Sequence, residues 1–125
     1  MKIAANIVGA LLGLAFIAFS LMILLNLVHP PPPVEGTIAG DFMKAFALSG
    51  WLYMVKSCEL IGGILVAIPK TRNFGLLILG PIIINILTYH LLIEGGADIA
   101  VPAVLGALAL FLLWVERRAF LNLLH

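Results

Sequence analysis

Between residues 3 and 28 the chain runs 26 residues without a charge. A helix needs about 20 such residues to cross the hydrocarbon core of a bilayer. The core of a signal peptide is only about 7–15 residues long, so the run predicts a retained span. Three further apolar runs follow, at about 51–68, 74–93 and 101–115. Lipid offers the backbone no hydrogen bonds, so each run is expected to be a helix. Composition agrees. Of 125 residues 63% are hydrophobic and 10% charged, and the mean hydropathy is +1.21, whereas a soluble domain carries about 25% charged residues. The expectation is one all-α membrane domain over 1–125. Short connections make it a four-helix up-down-up-down bundle surrounded by the lipid bilayer. A net charge of +1 argues against a nucleic-acid partner. The single cysteine, Cys58, excludes both an internal disulfide and a CxxC relay.

The connections carry their own signals. Gly9 and Gly13 form a GxxxG that either permits close helix approach or merely thins the helix; with the Ala103–Ala107 spacing it makes a homo-oligomer an open possibility. Four prolines at 30–33 predict an extended arm. Residues 41–48 predict a short amphipathic helix between spans one and two, with Phe42 and Phe46 on its inward face and Asp41 and Lys44 outward. Residues 69–73 read as a tight basic turn, and Pro81 as a kink that frees the Leu77 carbonyl. Residues 94–98 form an acidic turn. The fourth span has no ionisable residue before Glu116, and 120–125 forms an amphipathic tail. Lys2, Lys70, Arg72, Arg117 and Arg118 fall on one side; Lys44 lies on the other with Glu35, Asp41, Glu94 and Asp98. The loop-charge rule then puts both termini in the cytoplasm.

Charges inside a span each cost roughly 2.5–3.5 kcal/mol on insertion scales and are functional by default. Lys56 and Glu59 lie in the second run, three residues apart and so on one helix face. Asn85, Tyr89 and His90 lie in the third. Counting inward from Trp51 and from Glu94 puts Lys56 on the level of His90 and Glu59 on that of Asn85. Asn85 and His90 are about 140° apart around a regular helix, so facing one neighbour together demands an irregular one. The arc from Asn85 through Tyr89 to His90 is expected to face the bundle interior. The bland readings stand beside these. Lys56 and Glu59 suit a structural ion pair that sets register, Asn85 an interhelical anchor, and His90 an interfacial histidine. Cys58 suits a small apolar filler. No P-loop, HExxH or Cys/His cluster is present, and the carboxylates and histidines show no metal spacing, so no metal is expected.

The stretch from Trp51 holds Lys56-x-x-Glu59-x-x-Gly62-Gly63, then a basic turn after Pro69, then Pro81-Ile-Ile-Ile-Asn85-Ile-Leu-Thr-Tyr89-His90. Over residues 42–92 it resembles the DoxX family of small four-span membrane proteins. The resemblance implies an oxidoreductase label, with links to thiosulfate, quinone or thiol-stress chemistry and a redox partner protein. The expected location is a bacterial plasma (inner) membrane. Three functions are compatible with these residues. The first is a redox-associated subunit holding a quinone-like apolar molecule between spans two and three, with Lys56 and His90 as donors and Glu59 tuning them. The second is a non-catalytic partner or scaffold subunit. The third is a small solute or ion pathway.

Overall fold

The computed structural model describes residues 2–28, 34–96 and 98–124. The proline arm, His29 and His125 lie outside them. Most of the described residues are helical, and none is in a strand. Six α-helices follow in order: α1 Lys2–Leu24, α2 Ile38–Leu48, α3 Trp51–Ala67, α4 Arg72–Thr88, α5 Ala100–Val115 and α6 Arg117–Leu121. A 3-10 turn, Pro69–Thr71, joins α3 to α4. A π-helical turn, Tyr89–Ile93, prolongs α4. Two helical stretches, Lys2–Leu24 and Pro69–Ile93, are by themselves long and apolar enough to cross a membrane. The number of spans rises to four if α2 with α3, and α5 with Arg117–Leu124, each count as one bent span.

Several helix ends differ from the expectation for physical reasons. α1 stops at Leu24, not at 28, because Asn26 takes a left-handed conformation (φ 57°) and the amides of Leu27 and Val28 turn back to the Met22 carbonyl. α2 starts at Ile38, ahead of the expected 41, because Thr37 caps it: its Oγ1 accepts from the Gly40 amide at 3.0 Å and fills one of the first-turn vacancies. Gly50, at φ 81°, then breaks the path, and α3 leaves at 77° to α2. α4 passes through Pro81 without a break. The irregularity falls later, at Tyr89, where the Glu94 amide reaches back five residues to the Tyr89 carbonyl at 3.2 Å.

α1 packs on α3 and α5, and α4 packs on the same two helices. The four surround a core that includes Leu12, Phe16, Val66, Leu79 and Leu112. Two close approaches set the register. A Cβ at Gly13 would sit 2.5 Å from the Gly63 carbonyl oxygen, and a Cβ at Gly75 would sit 2.5 Å from the Val66 amide nitrogen. Only glycine lets these backbones meet, which is the small-residue packing seen where helices associate in lipid. Gly9 and Gly13 are thus used inside the chain, and both are buried.

Candidate functional site

Glu59 is the deepest acid. It is 3% exposed, one turn from the Gly62–Gly63 pair that brings α1 and α4 against α3. Lys56 Nζ lies 3.0 Å from Glu59 Oε2, and the lysine side chain is 21% exposed. The ammonium is the partner this carboxylate has among the described residues. A charge in this setting carries a large desolvation cost that a single partner offsets only in part. Lys56 and Glu59 are on the same helix, so their meeting follows from i,i+3 spacing alone.

The third-run candidates divide. Asn85 is exposed, and its Nδ2 donates to the Pro81 carbonyl of its own helix at 3.0 Å. The expected inward arc therefore does not form: Asn85 shares the outer face of α4 with Pro81, Ile84 and Thr88, all exposed. Tyr89 and His90 are half-buried, their rings edge to face at 5.2 Å. His90 Nδ1 lies 3.2 Å from Glu94 Oε2. Tyr89 also meets Phe42 of α2 at 5.1 Å, and Phe42 stacks on Phe46 at 5.8 Å. α2 therefore rests its aromatic face on the π turn, while Asp41 and Lys44 face outward; Phe42 keeps one side open.

The expected level match is off by about a turn. With Gly75 on Val66 and Gly62 against Leu79 and Ile78, the antiparallel register carries Lys56 to the level of Asn85 and Glu59 to that of Ile82. His90 falls level with Trp51. The reason is length. α4 with its π turn is longer than α3, so the π turn overhangs the start of α3, and α2 covers the overhang. Lys56–Glu59 and His90–Glu94 are two separate pairs, one within α3 and one at the end of α4.

Reading the sequence missed Arg72. It belongs to the tight basic turn expected at 69–73, yet it is 3% exposed. Its Nε donates to the Val66 carbonyl at 3.2 Å and its Nη2 to Asn6 Oδ1 at 3.2 Å. A Cβ at Gly9 would strike the guanidinium at 2.7 Å. Arg72 thus ties α4 to the last turn of α3, where a cation favours the helix dipole, and to α1. The signal that could have found it is Asn6, an amide in an uncharged run one turn from a glycine. Ser20, also buried, needs no partner beyond its own helix: its hydroxyl donates to the Phe16 carbonyl. Cys58 is half-buried, 3.8 Å from the Met54 sulfur. No group of three or more metal-ligating side chains gathers among the described residues.

No family model matches the chain, and no solved structure matches it. It is similar to the uncharacterized protein YwoB of Bacillus subtilis (strain 168), at 27% identity over 96 residues, covering 74% of this chain and 62% of that protein. The chain thus spans about three-fifths of the length of this curated relative.

Proposed function

We propose that the protein is a four-span, DoxX-like subunit of redox-associated function in a bacterial plasma membrane. In this reading the helices form an up-down-up-down bundle with both termini cytoplasmic. The Lys56–Glu59 pair is the polar end of a site for a small apolar molecule of quinone type. The closed packing of α1, α3, α4 and α5 supports the bundle. The exposed cations Lys2, Lys70, Arg117 and Arg118 support the orientation through the loop-charge rule. The observation that carries the site is a carboxylate only 3% exposed whose partner is a lysine that stays 21% exposed. A ligand hydroxyl can donate to Oε2, and the Lys56 ammonium can donate to a ligand carbonyl oxygen. Few polar groups in an apolar setting is the usual make-up of such a site. Extraction of gently purified protein, followed by mass spectrometry, tests it. Wild type should retain a quinone that the Lys56→Met/Glu59→Gln double variant lacks; folded wild type carrying no apolar molecule overturns the reading.

A scaffold role is the second reading. It is favoured by the self-contained nature of the pair, which both partners complete within α3. It predicts a protein partner that co-purifies equally with wild type and with the double variant.

A further inference from the structure

We propose that the elbow between α5 and α6 binds the headgroup of an anionic phospholipid from the adjoining leaflet. The inference needs only that α5 lies in the membrane, and it is independent of any ligand at Lys56 and Glu59. α5 is sixteen residues without a charge, and Glu116, Arg117 and Arg118 follow it directly. There the chain turns by 76°, so that Arg117–Leu124 leaves nearly at right angles to α5. A segment at right angles to a membrane helix lies along the interface. Its apolar side chains agree: Phe120 packs against the core, while Leu121, Leu123 and Leu124 are exposed, as acyl chains would require.

The elbow is concave, with about 380 Å³ of space lined by Val115, Glu116, Arg117, Arg118 and Ala119. Arg117 is held in place: Nη1 donates to the Trp114 carbonyl at 2.7 Å, and the guanidinium lies 4.7 Å over the Trp114 ring. Tryptophan at this level is the usual interfacial anchor. Among the described residues no carboxylate comes within ion-pair distance of Arg117 or Arg118. Two guanidiniums facing an interface with no acid to pair them suit a phosphate, which arginine grips through a fork of N–H donors. Glu116 shares the wall and opposes the phosphate charge, but it leaves the elbow net positive and can accept from a headgroup hydroxyl. Phosphatidylglycerol supplies both a net negative phosphate and hydroxyls. Phosphatidylcholine brings its own cation and no hydroxyl.

Native mass spectrometry of the full chain, released from mixed phosphatidylcholine and phosphatidylglycerol nanodiscs, tests the proposal. Wild type should keep phosphatidylglycerol in preference to phosphatidylcholine. Arg117→Gln/Arg118→Gln should lower that retention about tenfold or more, because each guanidinium lost removes charge-assisted hydrogen bonds to the phosphate. Arg118→Gln alone leaves the Arg117–Trp114 contact intact, and should lower retention even if the double variant fails to fold. Lys2→Gln/Lys70→Gln removes the same charge elsewhere and should leave retention within about twofold. Equal retention of the two lipids, or an equal loss from the lysine pair, overturns the elbow site; the latter would mean diffuse attraction. Displacement of the lipid by inorganic phosphate alone would also overturn it.

Discussion

The end of the helix cluster at Pro69–Thr71 and the half that runs from Glu59 to α2 each bury one charge, and they satisfy it in opposite ways. At the end near the Pro69–Thr71 turn, Arg72 on α4 reaches the α3 backbone at Val66 and the α1 side chain of Asn6. Three helices meet on one guanidinium, and glycines at 9, 13 and 75 let them come close. Toward α2 from there, at mid-length of α3, Glu59 meets Lys56 of its own helix at 3.0 Å and, among the described residues, no polar group of another helix. Beyond it lie the π turn and a short aromatic helix with one open face. A charge that spends its hydrogen bonds across helices fixes their arrangement. A charge that closes within one helix contributes little to arrangement, and its partly exposed lysine stays open to something else. Stability is therefore expected to concentrate at the Arg72 end, and chemistry at the other.

The largest test of this contrast is Arg72→Met. The substitution strips the Val66 carbonyl and the Asn6 amide of their donor and leaves a cavity beside Gly9. Each buried acceptor left without its donor costs about 1–3 kcal/mol, and two are stranded here. Thermal unfolding in detergent should show a drop large enough to leave the variant partly unfolded, with Arg72→Lys recovering part of it. A variant that melts with wild type would break the comparison at its stronger end.

A smaller effect is expected from the Glu59 end. Glu59→Gln leaves Lys56 without its partner, but that lysine is partly exposed and can extend toward the interface. The expected loss is about 1–2 kcal/mol, near the low end for depriving a buried group of its partner. Lys56→Met leaves the carboxylate stranded at 3% exposure and should cost more than Glu59→Gln. The double variant should regain much of that, and a double-mutant cycle on unfolding temperatures gives the coupling. Additive losses would mean that the two side chains do not interact. A loss on Glu59→Gln as great as on Arg72→Met would erase the difference between the ends.

Sequence patterns exposed some of this and hid the rest. Apolar runs and connection signals located the helices, because a long apolar run satisfies its backbone hydrogen bonds within itself as a helix. The i,i+3 spacing of Lys56 and Glu59 was enough for their pairing, and the i,i+4 spacing of Phe42 and Phe46 for their shared face. Arg72 was hidden because an arginine after a tight turn has the same local sequence whether its side chain folds under α1 or out to water. Only the position of Asn6 across the fold decides between them. The π turn has no periodic signature of its own, since it is one residue of slack in the backbone ladder. Without it, the overhang of α4 and the level of His90 are misplaced; Asn85, in the regular part of α4, faces out because its amide bonds back to the Pro81 carbonyl of its own helix.

The smallest effect, and the one that most sharpens the picture of the α2 end, is expected from Phe42→Ala. Phe42 touches Tyr89 at 5.1 Å and Phe46 at 5.8 Å, while its open side adds little buried area. Aromatic pairs contribute about 0.5–1.5 kcal/mol beyond burial, and the loss from a half-exposed ring should fall at the lower end. Thr37 still caps α2, so the helix itself should persist. What should change is its hold on the π turn, because among the described residues no ion pair joins α2 to α4 and the aromatic contact fastens them. Hydrogen exchange in detergent reads this directly. Amides of 38–48 and 89–94 should exchange faster in the variant, while those of α1 and of α4 near Arg72 stay as protected as in wild type. Acceleration that spreads to the Arg72 end would show the two ends to be one cooperative unit, and the division drawn between them would not stand.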